Sequence, residues 1–119
     1  MDKESILTST KKQLNIDEFD ESFDLDILAA INTCISVLHQ IGLGDGPALV
    51  VTDKSTTWDQ LIPSPSLNMV KTYIFLKSKL IFDTPASGIA TNSHKDILAE
   101  MEWRIEVACR QLKEQEDLK

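Results

Sequence analysis

The feature that most constrains this chain is a run of apolar residues at intervals of three and four that ends abruptly at a glycine-rich corner. Ile27, Ile31, Cys34, Ile35, Leu38 and Ile41 fall on one face of a helix expected over about 25–41. Ser22 or Asp24 is placed to cap its start. Gly42-Leu43-Gly44-Asp45-Gly46-Pro47 follows at once. Glycine takes the left-handed conformation that caps a helix C-terminus, and proline cannot continue one, so the chain must turn there. A helix with so apolar a face has to be covered by other elements.

The same period supplies partners. Residues 3–14 suit a short amphipathic helix, with Ile6, Leu7 and Leu14 on one side and Lys11 and Lys12 on the other, its end blurred by Asn15. Ser64-Pro65 places a cap and a first-turn proline ahead of a helix over 65–82. Its apolar arc is broad: Leu67, Val70, Ile74, Lys77 and Ile81 form one line, and Met69, Tyr73, Leu76 and Leu80 the next. Residues 83–88 carry turn formers. A last helix is expected from Asn92 or Ser93 to about Gln115, with Ile97, Met101, Ile105, Ala108 and Leu112 in register and Leu98 and Cys109 alongside, then a fraying tail over 114–119.

Two segments break the helical pattern. Residues 16–24 form an acidic connector in which Ile16, Phe19 and Phe23 are expected to pin the chain to the core while the carboxylates stay in water. Residues 48–58 bring β-branched stretches around Asp53-Lys54-Ser55, which predicts a small hairpin or extended loop. Thr57-Trp58-Asp59-Gln60 matches a capping box and should open one helical turn ended by Pro63. The expectation is therefore an all-α domain, residues 1–119, a bundle of about four helices with a hairpin-like excursion at 48–58.

Composition narrows the function. With 19 acidic residues against 12 basic ones the chain carries a net charge of −7. That argues against a surface built to grip phosphates, where Lys and Arg contacts dominate affinity. No apolar run is long enough to span a bilayer, and Met1-Asp2-Lys3-Glu4 leads into mixed sequence, so the chain reads as cytosolic. Cys34 and Cys109 are far apart and lie among apolar residues, which predicts buried reduced thiols.

No motif in the sequence assembles a chemical site. The acidic run at 17–26 lacks the alternate-position ligands, central glycine and terminal glutamate of a calcium loop. The glycines at 42–46 follow a helix and lack the Gly-Lys-Ser/Thr of a phosphate loop. His39 and His94 have no partner at a zinc-ligand spacing and are expected at the surface or an interface. Cys34 sits on the core stripe, a poor place for a nucleophile. No catalytic, metal or cofactor residue is assigned.

A wider likeness runs through the chain. Ser5-Ile6-Leu7-Thr8, Lys11-Lys12-Gln13-Leu14-Asn15-Ile16, Phe23-Asp24-Leu25-Asp26-Ile27, Gln40-Ile41-Gly42-Leu43-Gly44, Val70-Lys71-Thr72-Tyr73-Ile74-Phe75-Leu76-Lys77 and Glu100-Met101-Glu102-Trp103-Arg104 stand in a pattern that resembles the head-to-tail connector, or adaptor, proteins of long-tailed bacteriophages. The resemblance implies a non-enzymatic virion subunit of the neck, made in the host cytoplasm. It also implies assembly into a ring, typically dodecameric, between the portal protein and a tail-side connector or stopper, with only passive contact with passing DNA. On that reading Leu49, Val51, Trp58, Trp103, Arg104 and Arg110 are the expected interface residues, from the 48–62 excursion and the last helix. The competing reading is a small acidic regulatory or DNA-mimic module that offers the carboxylates of 17–26 to a basic partner.

Overall fold

The structure, a computed structural model, describes residues 3–44, 46–82 and 88–118. Its elements in order are α1 (Ile6–Gln13), α2 (Asp24–Gln40), α3 (Trp58–Leu61), a single 3-10 turn (Pro65–Leu67), α4 (Met69–Phe82) and α5 (Gly88–Asp117). The expected break at 83–87 lies outside the described residues. Helix α4 is central and packs against α1, α2 and α5, while α5 rests mainly on α4 and on the 3-10 turn. At about 1.5 Å per residue the 30 residues of α5 make a rod about as long as the 46 Å longest extent of the molecule.

Local signals explain the boundaries. Ser5 accepts a hydrogen bond from the Thr8 amide and starts α1. Helix α2 stops as its spacing demanded: Gly42 takes φ 115° and the Leu43 amide reaches back 2.9 Å to the Leu38 carbonyl, satisfying an end-of-helix acceptor. Ser64 caps the 3-10 turn through the Ser66 amide, with Pro65 in its first position. Helix α5 begins at Gly88, ahead of the expected Asn92 or Ser93; Ile89 in its first turn is 81% exposed and adds nothing to the buried stripe that marks the helix further on.

The core follows most of the periodicity, but Met69, Ile81 and Ile97, expected on apolar stripes, are 37%, 47% and 47% exposed and stand outside it. Ile27, Ile31, Cys34, Ile35 and Leu38 of α2 meet Val70, Tyr73 and Ile74 of α4, with Leu98, Met101, Ile105 and Cys109 of α5 on the other side. Both cysteines are free and buried.

Four expectations are corrected. No strand forms among the described residues, so the hairpin at 48–58 is replaced by an extended loop with one isolated bridge between Ser5 and Thr57. Its backbone finds other partners: the Asn32 side chain donates to the Val51 carbonyl (2.9 Å) and accepts from the Val51 amide (2.8 Å), and the Ile6 amide donates to the Thr56 carbonyl (3.0 Å). Lys11, expected on the wet side of α1, is 2% exposed. Phe19, expected to pin the connector, is 85% exposed, since a turn closed by Asp17 points it outward. The capping-box bonds also fail to form; Thr57 Oγ1 bonds the Asp59 carboxylate instead, though the turn itself is present.

Candidate functional site

Candidate contact surfaces are the side chains that the fold leaves uncovered among the described residues. The first lies on the acidic connector and the start of α2. Asp17 accepts from the Phe19 amide (2.8 Å) and Asp20 from the Ser22 amide (3.0 Å), so these carboxylates shape the segment. The Ser22 hydroxyl and amide hold the Asp20 carboxyl below its ordinary range. Asp24 pairs with Lys11, whose Nζ lies 2.8 Å from Oδ1 and 3.0 Å from the Glu18 carbonyl. Glu18, Glu21 and Asp26 are exposed around Phe19 and Leu25, which are 85% and 84% exposed. Six of the 19 acidic residues fall in 17–26, and the rest of the chain sets 13 acidic residues against 12 basic ones, so this knob carries nearly all the net charge.

The second surface is the 48–62 excursion, and here the structure redistributes the expected residues. Val51 is 1% and Trp58 0% exposed. Trp58 donates through Nε1 to Ser9 Oγ (3.2 Å), meets Phe75 edge to face (5.5 Å between centroids) and lies under the Lys71 ammonium (5.3 Å). It anchors the excursion to α1 and α4 from inside. Leu49 is half-buried against the core, and the side chain turned outward is Val50 at 63% exposure.

The third surface is α5. Trp103 is 62% exposed on the side opposite the buried Leu98, Met101, Ile105 and Cys109. Arg104 and Arg110 are exposed and bridge Glu100 (2.9 Å) and Glu106 (3.2 Å), each one turn back along the helix. Beneath, α5 is fastened to α4 by a polar node. The Tyr73 hydroxyl donates to Glu102 Oε2 (2.8 Å) and accepts from Lys77 Nζ (3.1 Å). Burial, reinforced by the Glu102 carboxylate, drives the Tyr73 hydroxyl well above its usual range.

Little here favours bond-making chemistry. Burial pushes the Cys34 thiol up to about 11, and its neighbour at 3.8 Å is the Ser78 hydroxyl, which cannot serve as a base. His39, half-buried, donates through Nε2 to the Gly46 carbonyl (2.6 Å), and His94 is half-buried on α5. Among the described residues no group of three His, Cys, Asp or Glu side chains is placed to hold a metal, and no helix is long and apolar enough to cross a membrane.

The family resemblance pointed to Trp103, which the structure leaves exposed, while the patterning missed Phe19, Leu25 and Val50. Leu25 was legible in principle: it stands two residues before Ile27, off the three-and-four spacing of the buried stripe.

No curated protein and no solved structure matches the chain. The sequence profile of the phage connector proteins matches residues 6–111, from the first residue of α1 to within the last two turns of α5. With the profile spanning every helix of this all-helical fold, the chain belongs to the phage connector protein family.

Proposed function

We propose that the protein is a structural subunit of a ring in the neck of a tailed phage particle, between portal and tail, where it extends the channel that DNA passes through. The observation that carries this reading is the family match over residues 6–111. Under it the subunit is made in the host cytoplasm, meets the portal protein on one side and a tail-side connector or stopper on the other, and performs no catalysis.

The physical features suit such a part. A ring needs two different surfaces on each subunit, one for each neighbour. The acidic knob with Phe19 and Leu25, and the α5 face with Trp103, Arg104 and Arg110, are distinct surfaces of this kind, with Leu49 and Val50 at the excursion as a third. Val51 and Trp58 act behind the excursion by fixing its shape. A net charge of −7 leaves DNA little to hold, which favours sliding over binding.

Cryo-electron microscopy of tailed particles tests the proposal. Density for this chain as a ring between portal and tail is the expected result. A neck fully accounted for by other proteins would reject it and favour the acidic regulatory module.

A further inference from the structure

Among the described residues the outward side of α5 has no cover within the subunit, and an acid and a base along its midline, Asp96 and Arg110, stand symmetrically about Trp103. Trp103 sits at the middle of this face at 62% exposure, with Ile89 81% exposed toward the helix start. Asp96 and Arg110, both exposed, stand seven residues before and after Trp103, about 10.5 Å along the axis in each direction. Ala99, exposed, and Val107, half-buried, stand four residues before and after it.

We propose that this face pairs antiparallel with the same face of a second copy of the chain, about a two-fold axis through Trp103. That arrangement sets Asp96 of each copy against Arg110 of the other along the seam, with the two indoles at the centre and Ala99 and Val107 on its two flanks. A parallel pairing in register would set Asp96 against Asp96 and Arg110 against Arg110. Charge complementarity therefore selects both the partner and the direction. The bridge from Arg110 to Glu106, at 3.2 Å between exposed groups, is too weak to withhold the guanidinium from a second carboxylate.

One helix face offers less than the roughly 800 Å² per partner of a standard interface, so the dimer is weak and concentration-dependent. A two-fold contact uses one patch twice and closes at two copies. It is thus a property of the unassembled subunit, goes beyond the connector reading and does not rest on it. In the free protein it would cover Trp103, the largest exposed aromatic surface of α5.

Analytical ultracentrifugation of the purified full chain, from low micromolar to near-millimolar concentration, is the test. A monomer–dimer equilibrium is expected, with Trp103→Ala and Asp96→Arg each weakening it about tenfold or more. The double variant Asp96→Arg/Arg110→Asp should restore dimerisation, and circular dichroism would establish that every variant keeps its helices. A monomer at every concentration, or a dimer indifferent to Asp96→Arg, would overturn the proposal. Assembly past the dimer would also overturn the two-fold pair while leaving the ring role standing.

Discussion

Lys11 Nζ lies 2.8 Å from Asp24 Oδ1, and the lysine is almost wholly enclosed, at 2% side-chain exposure against 25% for the aspartate. One ion pair thereby ties α1 to the first residue of α2 across the acidic connector, and the same ammonium also holds the Glu18 carbonyl. Removing one partner strands a charge that the fold has already dehydrated. Lys11→Met should cost about 2–3 kcal/mol, below the range for a fully buried pair because Asp24 keeps some water. Replacing both with apolar residues, Lys11→Met/Asp24→Leu, should return stability to within about 1 kcal/mol of the parent. Urea denaturation of the three proteins decides it; a double variant as weak as the single would show that the pair stabilises the fold outright.

Asn32 stands in for a β-strand partner by bonding both the amide and the carbonyl of Val51. Asn32→Ala should leave two inward-facing backbone groups short of partners and cost about 2 kcal/mol. The loss should be local first. Hydrogen exchange at the Val51 amide should accelerate more than at Ile31 or Ile35 in the middle of α2.

Alkaline stability should fall in two overlapping stages. Cys34 is pushed from an unfolded value of 9.0 up to about 11, and Tyr73 is raised from 10.0, both chiefly by burial. Above each unfolded value the unfolded chain releases a proton that the native state keeps, so the unfolded state gains ground as pH rises. The stabilisation is complete below pH 9 and declines above it, first through Cys34 and then through Tyr73. Urea midpoints taken from pH 8 upward should drop, and Tyr73→Phe should flatten the later part of the decline. A flat profile for the parent would contradict the burial of both groups.

The two tryptophans should report separately. Trp58 is fully enclosed and Trp103 is 62% exposed. Acrylamide should quench only part of the native fluorescence readily, and Trp103→Phe should leave a blue-shifted, protected emission. If the remaining signal in that variant were freely quenched, the placement of Trp58 against Ser9 and Phe75 would be wrong.

How much could be read beforehand depended on what each residue pairs with. The buried stripe of α2 and the corner at Gly42 follow from periodicity and backbone sterics within a few residues, so they were legible. The excursion at 48–58, legible as a small hairpin or extended loop, is the loop, and its partners lay beyond the pattern because β-branched residues specify conformation and not the donor that meets them. That donor, Asn32, is 19 residues away on a helix. Lys11 was misplaced for a similar reason: a lysine's default is water, and only the tertiary position of Asp24 overrides it. Trp58, an expected contact residue, went inside since an edge-on aromatic and a hydroxyl acceptor awaited it there.

Helix α5 is gripped along its middle, from Leu98 to Cys109, while the described side chains before 97 and after 112 bury little. Mechanically it is a beam clamped at midspan with both ends overhanging. A neighbour that pushes on either end works against the clamp through a lever arm of about 15 Å, ten residues at 1.5 Å each. The torque arrives at Tyr73 and Glu102, the polar fastening between α4 and α5. Force applied at the rim of the subunit is therefore felt at its centre.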